Sequence, residues 1–215
     1  MTATGEFSVA SELGSIVRAG VLWWDEAAVV DHAPALDPLL ADAERMVRAF
    51  PPEASSAVRT MFRMVGIDPT KTRPSSEALL RRIRKGGAIP RVNSMVDVVN
   101  WCSVELQLPY GLYDRARIRG PVTMRLGRDG EGYAGIRKDT VHVAGRITVA
   151  DEDGPFGNPT SDSLRTMVTP STRNALIVVY APAATAATRL AQVLDTTADR
   201  VAQICRGREA WRWQT

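Results

Sequence analysis

Asn100 stands inside the run "MVDVVNWCSVEL", Met95 to Leu106, where the surrounding residues are mostly apolar. Asparagine is a poor helix former and is costly to bury unpaired, so a carboxamide there calls for a use. It offers donors and an acceptor. It can address a bound polar group from a rigid mount, or it can satisfy a neighbouring backbone carbonyl in the core. A second polar set lies between Asp151 and Thr166, where "DGPFGNPTSDSLRT" brings Asn158, Thr160, Ser161, Asp162, Ser163, Arg165 and Thr166. This stretch has no regular pattern and reads as a solvated loop. A third set is basic. Arg81, Arg84 and Lys85 fall at i, i+3 and i+4 on one side of a predicted helix, with Arg73, Arg82 and Arg91 flanking them. Such a cluster complements a helix C-terminus, and it also suits nucleic-acid phosphates.

Other chemistries lack their signatures. There is no HExxH and no Cys/His cluster, and His32 and His142 are isolated, so no metal site is expected. No GxSxG elbow exists for a serine hydrolase, and His142 lies in a predicted strand. No P-loop is present. Cys102 and Cys205 form no CxxC and read as buried structural thiols.

Hydrophobic residues make up 45% and charged residues 24% of the 215 positions, which is enough for a sizeable core. The net charge of +3 is too mild to identify a nucleic-acid partner by itself. No apolar run approaches the roughly 20 residues that span a bilayer. The start, "MTATGEFSVASELG", lacks the basic and apolar regions of a signal peptide. A cytoplasmic protein without a membrane partner is expected; the oligomeric state is not legible.

Periodicity places the elements that must hold these groups. "VRAGVLWW" reads as a strand that Gly20 interrupts. Asp37 to Phe50 reads as a helix with Leu39, Leu40, Met46 and Val47 inward, and a short helix fits Ser56 to Val65. The next helix is capped by Ser75 or Ser76, buries Leu79, Leu80 and Ile83, and ends at Gly86 or Gly87. Another opens at Ser94, where Asp97 completes a capping-box-like pair, and Pro109 closes it. From Pro121 to Asp151 short β-like runs alternate with glycine, and "NALIVVYAP" reads as a buried strand. Thr185 to Cys205 is a final amphipathic helix, and the two tryptophans of "REAWRWQT" pack back onto the domain. The order predicts an α+β fold.

In that order, "RPSSEALLRRIRKGGAIPRVNSMVDVVNWCSVELQLPYGLYD" resembles the B3/B4 domain, the editing module of the bacterial phenylalanyl-tRNA synthetase β subunit, and more closely the freestanding B3/B4 proteins. The motif is N-x-x-V-D-V-x-N from Asn93 to Asn100, followed nine residues on by Pro109 and a turn ending in Tyr113-Asp114. "TPSTRNALIVV" is more loosely similar to a strand of the family. The resemblance covers residues 73–182. It implies a layered β/β/α fold in one domain over residues 1–215, with extra N- and C-terminal helices packed on it. The implied activity is hydrolysis of the ester between a wrong amino acid and tRNA, without metal or cofactor, with the aminoacylated 3′ end of tRNA as partner.

Carried over by position, the resemblance implies Asn100 as the catalytic residue and Asn93, Val99, Gly111, Tyr113, Asp162, Ser163, Arg165 and Val178 as the substrate pocket. With tRNA as the partner, the basic residues Arg81, Arg84, Lys85 and Arg91 are the ones expected to meet its phosphates. Asp162 is the group expected to hold the amino group or side chain of the aminoacyl moiety. Gly111 replaces a family histidine, Val99 a threonine, and Val178 the glutamate implied to read a tyrosine hydroxyl. These departures predict an apolar wall with added space and poor handling of tyrosine. They also suit a non-catalytic module that binds tRNA or an amino acid.

Overall fold

The computed structural model describes residues 6–52, 55–136 and 139–215. Strands β1 (Phe7–Val9) and β2 (Val17–Asp25) lead into helices α1 (Leu36–Ala49), α2 (Ser56–Met64), α3 (Ser75–Arg84) and α4 (Ser94–Leu106). Eight strands follow: β3 (Tyr110–Asp114), β4 (Val122–Leu126), β5 (Gly132–Ala134), β6 (Thr140–His142), β7 (Ile147–Asp151), β8 (Gly154–Asn158), β9 (Ser161–Asp162) and β10 (Ala175–Pro182). Helix α5 (Ala187–Cys205) and strand β11 (Arg208–Gln214) come last.

One sheet runs β1-β4-β7-β8-β9 and a second runs β11-β2-β10-β3, while β5 and β6 form a separate hairpin. Every residue of β10 is buried, because its two faces meet different layers. Val178 pairs with Gly111 and Leu176 with Tyr113, and on that face Tyr113 packs edge-on against Phe156 of the other sheet at 4.8 Å. The alternate face carries Tyr110, whose hydroxyl is 2.9 Å from that of Thr197 in α5, and Gly20, which lies under Leu190 and Leu194. The protein is therefore layered sheet on sheet on helix, as an α+β fold should be. A strand covered on both faces reads as a continuous apolar run rather than an alternating one, which is how "ALIVVYAP" appears in the sequence.

Several expectations are corrected by packing. Gly20 does not break β2; a Cβ there would come within 2.9 Å of Leu190 Cδ1, so glycine lets α5 approach the sheet. In α1 the buried stripe is Leu36, Leu40, Ala43 and Val47, and Met46, about 100° from Val47 around the helix, is 55% exposed. Neither Ser75 nor Ser76 caps α3, where Pro74 holds the cap position without a side-chain hydrogen bond. Asn93, not Ser94, caps α4 by accepting from Val96 N at 3.0 Å.

The polar stretch expected to be an irregular loop is a hairpin, β8 to β9. Asn158 Oδ1 organises its turn, accepting from Thr160 N at 2.8 Å, Thr160 Oγ1 at 2.6 Å and Ser161 N at 3.1 Å. After α5 the chain adds β11 to the edge of β2, where Trp211 meets Trp23 and Trp213 meets Phe7. Cys102 and Cys205 are free and buried; burial raises the Cys102 thiol and pushes Cys205 up to about 11. No helix among the described residues is long and apolar enough to cross a membrane.

The room expected at Gly111 does not exist. A Cβ at Gly111 or at Gly157 would overlap the Tyr113 phenol, which lies across both glycines and is hydrogen-bonded to the Tyr180 hydroxyl at 3.0 Å. Gly111→Ala overpacks this layer and should cost about 1–3 kcal/mol, read as a melting temperature lower by several degrees in calorimetry. Unchanged melting would mean that the Tyr113 ring moves aside without cost.

Candidate functional site

The start of α4 is anchored before its sequence reaches the site. Asn93 donates to Val168 O at 3.2 Å while it caps the helix. Asp97 accepts from Val92 N at 2.8 Å and from Arg91 Nε at 2.7 Å, and it has no exposed side-chain surface. With both groups committed to the frame, α4 turns Val96, Val99, Asn100 and Ser103 to a common side, the spacing of one helical face. These four line a groove of about 800 Å³, counting its open mouth. Ser103 Oγ donates to Leu108 O at 2.8 Å. The half-buried Asn100 carboxamide makes no hydrogen bond among the described residues.

Across the groove lies β3, an edge strand of its sheet. Tyr180 N donates to Pro109 O, so by alternation Tyr110, Leu112 and Asp114 turn their backbone groups away from β10. Asp114 N donates to Thr166 O at 2.8 Å and Leu112 N to Asp162 Oδ2 at 3.4 Å. Asp162 thus reaches the groove from the β8–β9 hairpin together with Thr160 and Ser161. Behind it stand three phenols. Burial, and the Asp162 charge after it, hold Tyr113, Tyr180 and Tyr133 well above the usual phenol range, so all three remain neutral. Tyr133 donates to Ser161 O at 2.6 Å and receives Asn158 Nδ2 at 2.9 Å, fixing the hairpin that carries Asp162. Helix α3 completes the groove with Ser75 and Leu79, and Ile136, Met167 and Val168 close its remaining sides.

Of the residues singled out in the sequence, Val99, Asn100, Thr160, Ser161 and Asp162 share this groove. Gly111, Tyr113 and Val178 lie on the opposite face of the sheet, between the two sheets. Ser163 is buried with its hydroxyl 2.9 Å from that of Thr166. Arg165 is turned to Asp151, pairing with both carboxylate oxygens at 2.8 and 2.9 Å, and donates to Arg117 O. Arg91 joins Asp97 to Asp37 and contacts His32, so it ties α4 to α1. The side chains of Arg81, Arg84 and Lys85 are exposed and form no ion pair or hydrogen bond among the described residues.

Sequence reasoning missed Ser75, Val96, Ser103, Tyr110 and Leu112. Val96 and Ser103 were legible as the i−4 and i+3 neighbours of Asn100. Tyr110 and Leu112 were one residue out of phase with the positions chosen in β3, which places them on the other face. Among the described residues, no group of three or more His, Cys, Asp or Glu could hold a metal ion.

Residues 57–212 match the model of the family described as B3/4 domain. The phenylalanine–tRNA ligase beta subunit of Paramagnetospirillum magneticum is 34% identical over 107 residues, which is 49% of this chain and 13% of that protein. The same subunit of Thiobacillus denitrificans is 30% identical over 149 residues, 68% of this chain and 17% of that one. The chain thus spans less than a fifth of the length of these relatives. A crystal structure of an N-terminal fragment of the phenylalanyl-tRNA synthetase beta-subunit from Pyrococcus horikoshii superposes with a TM-score of 0.52, covering 99% of this chain and 55% of that one. Its sequence identity is 12%, so the likeness is one of fold.

Arg91 gives a direct stability test. Arg91→Gln leaves the enclosed Asp97 carboxylate without its cation, and breaking a buried pair from one side costs about 3 kcal/mol. Thermal unfolding should move down by roughly 10 °C. A variant melting like the wild type would release Arg91 from this structural role.

Proposed function

This chain belongs to the B3/4 domain family, and from that premise we propose that it is an aminoacyl-tRNA deacylase that hydrolyses the ester of a mischarged tRNA. The observation that carries the reading is Asn100, a carboxamide left uncommitted on an otherwise tightly hydrogen-bonded helix, facing a groove that also holds Asp162. In this reading Asn100 Nδ2 donates to the ester carbonyl oxygen as negative charge develops there, and Oδ1 accepts from the attacking water. The carbonyl carbon gains the water oxygen and loses the ribose oxygen, which leaves with a proton from that water. An aminoacyl ester is already activated, so holding water and carbonyl in register supplies much of the acceleration. Asp162 attracts the α-ammonium of the acyl group, which places the ester beside α4.

The tRNA itself is assigned to α3. Ser75 and Leu79 of this helix line the groove, and its other end presents Arg81, Arg84 and Lys85 to solvent. The helix is ten residues long, about 15 Å, so phosphates of an acceptor end whose terminal nucleotide enters the groove fall within reach of these cations.

Asn100→Ala should lower the single-turnover rate of deacylation by about ten- to a thousandfold, with the melting temperature unchanged because the side chain holds nothing in the fold. An early-melting variant with an undiminished rate would make Asn100 a structural residue.

Replacing Arg81, Arg84 and Lys85 together by glutamine should weaken tRNA binding and flatten the log–log salt dependence by about two to three units. An unchanged slope would leave the cluster as a solvated face that complements the helix dipole.

A further inference from the structure

The Ser75 hydroxyl oxygen is enclosed and has no hydrogen-bond partner among the described residues, although Ser75 lines the groove. Buried hydroxyls are almost always bonded, and an exception calls for an explanation. Serine near the start of a helix commonly acts as a cap. Ser75 does not: Pro74 occupies the cap position, and no side chain caps α3.

Other hydroxyls around the groove are committed within the protein. Thr160 Oγ1 donates to Asn158 Oδ1, Ser103 Oγ donates to Leu108 O, and the Tyr110 hydroxyl pairs with Thr197. Ser75 is held in place by its backbone, since its N–H donates to Pro159 O at 3.0 Å. That bond holds the residue beside the hairpin that carries Thr160, Ser161 and Asp162, with Leu79 one turn further along the same helical face.

We propose that Ser75 is a specificity residue whose hydroxyl hydrogen-bonds an uncharged polar group on the side chain of the bound acyl group. The substrates would be esters of hydroxyl- or amide-bearing amino acids rather than of aliphatic ones. This assignment rests on the deacylase reading. There Asn100 addresses the ester from α4 and Asp162 the α-ammonium from the hairpin, so the side chain is the part of the acyl group that meets α3. A neutral hydroxyl among the apolar walls formed by Leu79, Val96 and Val99 matches a neutral polar partner. A site built around such a bond discriminates against an isostere that leaves its polar group unpaired.

The test uses threonine and valine, which differ by a hydroxyl in place of a methyl. Single-turnover deacylation of threonyl- and valyl-tRNA is compared for wild type and Ser75→Ala. Binding of the corresponding non-hydrolysable 3′-aminoacylamino-3′-deoxyadenosines is measured alongside. Wild type should favour the threonyl member of each pair. Ser75→Ala should slow or weaken threonyl by about tenfold, change valyl less than twofold, and melt at the same temperature or higher because no hydrogen bond is lost. Equal effects on both members, or none on either, would overturn the assignment, as would early melting without a change in preference. If wild type cleaves neither ester, the deacylase reading is decided separately on a pool of aminoacylated tRNAs, and it fails if no ester there is lost faster than its spontaneous rate. The role of Ser75 is then decided by the analogues: selective loss of the threonyl analogue supports it, and absence of binding by either rejects it.

Discussion

Strand β10 must be covered on both faces, and the arrangement around the groove follows from that. Its eight residues are all buried, and it pairs with β2 on one side and β3 on the other. One face presses Gly111, Tyr113 and Val178 into the layer between the sheets; the other receives the helices. Because side chains alternate along a strand, β3 has no freedom over which residues it offers to α4. Tyr110 and Leu112 face the groove because Gly111 and Tyr113 are needed in the opposite layer. The Tyr113 phenol over Gly111 and Gly157 sets the closeness of that layer.

The polar groups around the groove divide sharply between those committed to the frame and those left open. Asn93 and Asp97 secure the start of α4, Asn158 and Tyr133 secure the hairpin, and Ser103 secures the chain after α4. Asn100 and the Ser75 hydroxyl take no part in this frame. A group with no structural bond to lose is the kind that function can use without a stability penalty. The basic residues divide in the same way. Arg91 and Arg165 are bound to enclosed carboxylates, whereas Arg81, Arg84 and Lys85 remain open to solvent.

Membership of the B3/4 family accounts for the layered α+β fold. The positions read in the sequence as departures from the synthetase pattern take on a different meaning in three dimensions. Val178 and Gly111 are inter-sheet packing positions here, so they do not form an apolar wall of the groove. Selectivity would instead arise from Asp162, the apolar faces of α3 and α4, and Ser75.

The sequence by itself determined the local elements. The stripes of α1 and α5, the unbroken apolar run of β10 and the motif leading to Asn100 were all legible, because helical and strand periods are properties of neighbouring residues. Met46 was misplaced only by its angle around a correctly identified helix. Tertiary structure decided the rest. Asp37 lies 54 residues from Arg91 and Asp151 lies 14 from Arg165, so neither guanidinium's commitment could be seen from its own surroundings. The β8–β9 hairpin was hidden because its polar residues bond to each other and to Tyr133 rather than following an apolar alternation. The face of β3 that lines the groove depends on a one-residue phase, and only the pairing of β3 with β10 beneath the second sheet sets that phase.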